Sequence, residues 1–391
     1  MAGSVRIEGN ALLLGNGAQV RFIRTLRLPE TGTHPLPPGL GEFPLRRIED
    51  CPGPVPEEWR ARGGVILPVY LREAMWMAFG GSREPTALQI GVGKVCAVSG
   101  ERWTGRLARR PQNYVVLPRQ PWLDGINSGK GTVRQFVAVP LGLGATVEGQ
   151  VTGEETTGGV QLQAFPLNDA RLAEWREEQR RAAADSRNAQ TAGGPPFPPV
   201  PPFPPGPVPA GPNPPGGPVP PGAPMPPGAP GAYGAPMPMA APPAPAGMPA
   251  PGCAPAPRAA AAPAPAAMGL GVGGSMQQEV YQDERPLKDW SGEPAGRVFV
   301  HLVTPPEWER ITGEPAPPSP VDRAAYTQAG LPWFDYYDED GTDLAPTDAL
   351  GGVKPVGNWL GDDHTPWVPP VPGQVQPLGD APGKPVADGS W

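Results

Sequence analysis

The sequence predicts a mainly β protein. An antiparallel, sandwich-like N-terminal domain carries a smaller α+β C-terminal segment, docked on it across a disordered proline-rich linker. Three observations predict this. Short apolar runs punctuated by Gly and Pro recur through residues 1–167, at the spacing expected of sandwiches and barrels. Residues 195–265 hold 31 prolines in 71 positions, which cannot build a core and lack the amide donors of a sheet. Strand-like and helix-like runs then resume over residues 268–352.

The strands of the first region are expected at 4–7, 11–14, 18–27, 65–71, 74–79, 87–98, 114–117, 132–141, 145–152 and 159–165. The last two have the clearest period of two. Val147, Gly149 and Val151 alternate with Thr146, Glu148 and Gln150, and Val160, Leu162 and Ala164 alternate with Gln161, Gln163 and Phe165. With a Gly/Thr/Glu turn between them, they predict a hairpin with one wet face. Segment 31–62 lacks such alternation and reads as an excursion with a short helix near Glu57–Arg60.

Residues 168–190 predict a helix capped by Asn168, with Leu172 and Trp175 on one face and little apolar surface beyond them. Residues 191–267 form the Pro/Ala/Gly-rich linker, biased to polyproline II. Its stretch 195–207, PPFPPVPPFPPGP, matches ligands of aromatic grooves, although bulk proline content produces such matches by itself. In the C-terminal segment, 276–283 and 297–303 are expected strands. Pro306 opens a helix that Gly313 stops, and 321–330 is a second short helix ending in Gly. The Pro/Asp-rich tail, 353–391, is expected to be disordered.

The net charge of −7 hides an asymmetry: residues 1–187 carry 23 Lys/Arg against 19 Asp/Glu, whereas residues 264–391 carry 7 against 19. Neither part has the clustered positive charge that a phosphate backbone requires, so nucleic acid is not an expected partner. Three scattered cysteines, Cys51, Cys96 and Cys253, form neither a disulfide framework nor a zinc motif. No signal peptide is read, and the most apolar stretch, 65–79, is too short and too charged, with Arg72 and Glu73, to span a bilayer. A cytoplasmic, soluble protein is the expectation.

Ser128-Gly129-Lys130-Gly131-Thr132 looks like the end of a phosphate-binding loop. It fails on three counts: Gly125 and Gly129 are separated by three residues, Gly131 follows Lys130 where Ser or Thr is needed, and a strand-period run follows instead of a helix. Histidines are sparse, His34, His301 and His364, and no nucleophile or zinc-hydrolase motif is present. Glu73, Asp124 and Glu148 are the acids considered for acid/base work, against the ordinary role of surface charge. Trp76, Trp103 and Trp122, with Asp124, are the candidate ligand-binding residues, because exposed indoles stack on apolar ligand faces; Trp in a β domain is more often packing. Asp338, Asp340 and Asp343 around Gly341 are a candidate Ca²⁺ set, although an EF-hand register puts Tyr336 and Thr347 where carboxylates are needed. No cofactor is expected.

The stretch QPWLDGINSGKGTVRQFVAVPLGLGATVEGQVTG (120–153) resembles a family of uncharacterised proteins of bacteria and fungi, as do 55–79, 268–283, 297–314 and 326–340. The resemblance spans both ordered regions. Many members of that family bear the automatic label "integral membrane protein", and the resemblance carries over no activity and no site residue. The sequence therefore leads to a non-enzymatic binding or scaffold module with a protein partner. A small-ligand or carbohydrate-binding β-sandwich is the alternative, and an enzyme of unrecognised type the third reading.

Overall fold

The computed structural model describes residues 5–15, 17–192, 267–320, 322–336, 342–345, 347–357, 369–371 and 373–378. The linker stretch 195–207, with nearly all of the expected linker, lies outside them. By its contacts the chain divides into two units, Met1–Ala183 with Ala262–Trp391, and Ala184–Ala261. The sheets and their core belong to the first unit.

The fold is mainly antiparallel β. A meander of β1 (Val5–Glu8), β2 (Ala11–Leu14) and β3 (Ala18–Thr25) opens the chain, followed by three short strands, β4 (Thr33–His34), β5 (Gly39–Glu42) and β6 (Arg46–Arg47). Helix α1 (Glu57–Arg62) stands where the excursion was expected to hold one; acids in its first turn and Arg in its last complement the helix dipole. Eight strands follow: β7 (Val65–Pro68), β8 (Ala74–Ala78), β9 (Thr86–Val92), β10 (Val95–Cys96), β11 (Val115–Leu117), β12 (Trp122–Leu123), β13 (Gly125–Gly129) and β14 (Thr132–Pro140). The expected strand 87–98 is thus a hairpin, because Gly93 takes a φ of 58° and turns the chain. Next come α2 (Val147–Thr152), β15 (Val160–Pro166) and α3 (Asp169–Ala192). After the linker stand β16 (Ala267–Gln277), β17 (Gly296–Val303), α4 (Pro305–Thr312), α5 (Arg323–Gln328), β18 (Trp333–Tyr336), α6 (Asp348–Gly351) and β19 (Val375–Leu378).

The structure departs from the expected hairpin of 145–152 and 159–165. Residues 147–152 are helix α2, not a strand. Thr146 Oγ1 accepts from Gly149 N at 2.9 Å as an N-cap, and Gly153 closes the helix in the left-handed conformation. Glu155 fixes the approach by accepting from Gly144 N at 2.9 Å and Thr146 N at 3.0 Å. Local capping therefore overrides the period of two. β15 pairs instead with β9 on one edge and β17 on the other.

The C-terminal segment supplies inner strands of the main sheet. β16 pairs antiparallel with β14 from Pro140↔Met268 to Thr132↔Gln277, and β17 pairs with β15 from Ala164↔Gly296 to Val160↔Val300. β16 and β17 meet at Met268↔Leu302, so the path β14–β16–β17–β15 runs through both sides of the linker. β17 also carries β7, in parallel, at Val300↔Val65. One core cluster accordingly mixes the two sides, with Phe22, Met77, Ile90 and Phe136 joined by Leu270, Val300 and Trp333.

Two further expectations are revised. The strand foreseen at 276–283 ends at Gln277, and residues 278–283 are held partly by side chains, as where Tyr281 N donates to Gln120 Oε1 at 3.1 Å, and partly by backbone bonds, as where Gln282 N donates to Thr342 O at 2.8 Å. In the expected disordered tail, Val353 and Val356 are buried, and β19 pairs in parallel with β18 in a separate two-stranded sheet. Among the described residues, no helix is long and apolar enough to cross a membrane.

Candidate ligand cleft at Trp103

Three neighbouring strands set out one polar face of the sheet. Gln161 of β15 stands in register with Gly91 of β9 on one side and Phe299 of β17 on the other. Two residues along, Gln163 stands between Gln89 and Arg297. Because side chains alternate along a strand, these two rows share a face. The alternation of Gln161 and Gln163 predicts a wet face; both side chains are instead buried, because the strand lies between β9 and β17 and the face is covered.

The segment after β10 folds back over this face. Trp103 N donates to Lys94 O at 2.7 Å, and Gln89 Nε2 donates to Arg106 O at 2.9 Å. The Trp103 ring lies directly on Gly91: a Cβ at that position would stand 2.6 Å from the ring, so only glycine admits the indole. Trp103 is half-buried, with its other surface turned to a cleft of about 360 Å³. That volume lies within the range of small-ligand pockets, roughly 300–1,000 Å³.

Gln161 and Phe299 form the cleft floor, and Thr152, Glu154 and Thr157 of the α2 end and the turn after it form one wall. Gln161 Nε2 donates to Gly93 O at 2.6 Å, which fixes the amide and leaves Oε1 as an acceptor. Arg62, at the end of α1, lays its guanidinium over the Phe299 ring, 5.6 Å from the centroid. Lys94 and Arg102 complete the rim, and Lys94 Nζ stands 3.6 Å from Glu154.

His301, the next residue on the face after Phe299, is packed beside it, with the ring centroids 6.1 Å apart. It stacks on Trp59 at 4.8 Å, and its Nε2 lies 3.0 Å from Gly63 O. Burial lowers its pKa to about 4, against the raising effect of the Gly63 carbonyl. The imidazole is therefore neutral at pH 7 and packs as an aromatic ring between Trp59 and Phe299.

The other candidate residues lie elsewhere. Trp76 and Trp122 belong to the β8–β12 pair, where Trp122 stands opposite Ala78 and Trp76 opposite Ile23. Asp124 is 3 % exposed, and its N–H donates to Gln278 Oε1 at 3.0 Å. Burial raises its carboxyl to about 7, partly offset by hydrogen bonds from the Trp122 and Gln278 side chains. Trp122 and Asp124 are thus neighbours, with Asp124 buried and Trp122 half-buried against the core, away from Trp103.

Glu73 and Glu148 join no acid/base pair with Asp124. Glu73 is buried against Arg24, and Glu148 Oε2 accepts from Gly158 N at 2.9 Å. Asp343 Oδ1 accepts from Val280 N at 2.9 Å and its Oδ2 from Gly131 N, so both oxygens staple backbone. Asp338 and Asp340 lie outside the described residues. Among those described, no three His, Cys, Asp or Glu side chains cluster as metal ligands. The loop 128–132 is a turn that runs into strand β14, with Gly131 held by Asp343.

A wider groove, about 790 Å³, runs past Trp175, Val116 and Pro286. Several of its charges pair off within the protein: Arg119 holds Glu284 at 2.8 Å, Asp289 meets Arg171 at 3.2 Å, and Asp283 accepts from Tyr114 and Trp290. The Trp103 cleft is smaller, and it differs from the groove in having an indole laid flat on a glycine of the sheet. In comparisons with protein-family models, curated proteins and solved structures nothing matches this chain, so the reading of the cleft rests on its own geometry.

Proposed function

We propose that the protein is a non-catalytic binding module whose Trp103 cleft holds a small polyhydroxylated ligand of the saccharide class. The observation that carries this is the fixed, half-buried indole. Backed by Gly91 and anchored through its own backbone to Lys94, Trp103 offers a flat surface that needs no rearrangement to be used. A sugar ring has an apolar face suited to such a surface and hydroxyls for the Thr157 hydroxyl and the free Gln161 oxygen beside it. Preorganisation keeps the ordering cost of binding small.

A protein partner, the first expectation from the sequence, has the Trp175 groove as its best support among the described residues. The engagement of its three acids, Asp283, Glu284 and Asp289, within the protein makes that support the weaker. A cytoplasmic setting belongs to the same proposal and is supported by Cys51 and Cys96, both free thiols.

The test is titration of the full chain with a panel of mono- and disaccharides, followed by calorimetry and tryptophan fluorescence. Trp103→Ala is expected to weaken binding by about tenfold, the equivalent of ~1.4 kcal/mol of stacking and buried surface. Its thermal midpoint should change little, because the ring covers the sheet face from outside. Saccharide binding that survives Trp103→Ala, or a panel without a single binder, would overturn the proposal.

A further inference from the structure

We infer that the cleft selects acidic saccharides, those bearing a carboxylate or sulfate, over neutral ones. The inference rests on the saccharide reading above and assigns the charge of the ligand. The chain as a whole carries a net charge of −7, yet three cations, Arg62, Lys94 and Arg102, meet at this one cleft against the single acid Glu154. Lys94 is the one that Glu154 engages. Among the described residues neither Arg62 nor Arg102 has a carboxylate partner.

The posture of the arginines points the same way. Arg62 lies across Phe299, a cation–π contact that spends the guanidinium face and leaves its N–H edge for an acceptor. Arg102 is exposed beside the indole, and its backbone is bridged to Val95, so the base of the side chain is fixed while its end is free. A ring stacked on Trp103 thus has a guanidinium on its near side and a second across the floor, a setting for bidentate capture of a planar carboxylate.

The cleft is less suited to a phosphate. Phosphate sites draw on helix N-termini and clustered backbone N–H groups. Here α1 ends at Arg62 and α2 ends at Thr152, so both helices that reach the cleft present their C-terminal, carbonyl ends. Those ends, with Glu154, weigh against a dianion while three cations still favour a single negative charge. Monoanionic carboxylates and sulfates meet both conditions.

The experiment compares three ligands on the full chain by calorimetry: a uronic-acid disaccharide, its neutral counterpart and a nucleoside monophosphate. The acidic sugar is expected to bind about tenfold tighter than the neutral one at low salt. That advantage should shrink as NaCl rises from ~20 mM to ~500 mM, since exposed charges are screened over a few ångströms at the higher salt. Arg102→Gln and Arg62→Gln should each remove most of the advantage and its salt dependence, whereas Lys130→Ala, at the far β13–β14 turn, should leave the advantage, the neutral-sugar affinity and the thermal midpoint in place. Equal binding of the two sugars overturns charge selection but leaves the saccharide reading standing, whereas binding of neither overturns both. Tighter binding of the nucleotide than of the acidic sugar overturns the assignment to saccharides.

Discussion

Replacing Asp124 by Asn tests a carboxyl held in the sheet interior. Its pKa rises from the ordinary 3.8 to about 7, with burial as the first cause. A tenfold change in a protonation equilibrium is worth about 1.36 kcal/mol, so a rise of that size amounts to about 4 kcal/mol. The sign follows from proton binding. Between pH 4 and pH 7 the folded chain keeps a proton on Asp124 that the unfolded chain has lost, so folding is favoured at the acid end, and that advantage fades as pH rises. The amide introduced by Asp124→Asn stays neutral throughout and carries no such slope.

Urea denaturation of both proteins from pH 4 to pH 8 measures the difference. The free-energy gap between Asp124→Asn and the native chain should move in favour of the variant by about 4 kcal/mol across that range, most of it below pH 7.5. Any constant offset, such as an amide nitrogen where Oδ2 has no partner, shifts the whole curve and not its shape. Parallel stability curves would refute the reasoning, for they would mean that Asp124 is ionised in the folded protein and that water or a cation reaches it.

Two further outcomes follow from the same structure. His301, lowered to about 4 by burial, acts in the opposite sense: below pH 6.5 the unfolded chain takes up a proton that the folded chain refuses, so stability should fall by about 3 kcal/mol between pH 6.5 and pH 4. His301→Phe should abolish that fall in urea titrations and expose the Asp124 slope that it otherwise masks; an unchanged acid limb would show that the imidazole charges in place. Residues 1–192 and 267–391 produced as separate chains should each lack a cooperative unfolding transition and regain one on mixing, since β16 and β17 are inner strands of a shared sheet. Circular dichroism melts of each piece and of the mixture decide this, and two independent melts that sum to the native trace would refute it.

Much of the fold was legible because its signals are local. The proline start and the Gly313 stop of α4 mark a helix without reference to the rest of the chain, and Asp322 caps α5 through Ala324 N. The run 297–303 and the alternation at 159–165 are likewise strands. The reading failed where two local signals compete. Residues 146–152 alternate as a strand does, but they also hold a Thr cap, a glycine stop and, at Glu155, a carboxylate that ties down the entry turn. Hydrogen bonds that satisfy the backbone at both ends of a short segment outweigh an alternation with no strand beside it to pair with.

The cleft illustrates a different limit. Trp103 was visible as a candidate, but Gly91, Gln161 and Phe299 are far apart in sequence and become one row only through the β9–β15–β17 register. The charge that distinguishes the site is equally scattered: Arg62 ends a helix, Lys94 sits in a hairpin turn and Arg102 follows it in the returning segment. Counted along the chain, these cations belong to a weakly positive N-terminal region; gathered over Phe299 and beside the indole, they form a local field opposite in sign to that of the whole protein. Phe299 comes from beyond the linker, in the acidic part of the sequence. The insertion of β17 beside β15 therefore does two things at once: it fills the sheet, and it delivers the aromatic floor on which Arg62 rests. Stability of the sheet and assembly of the cleft are in this sense a single event, and neither half of the chain holds the site alone.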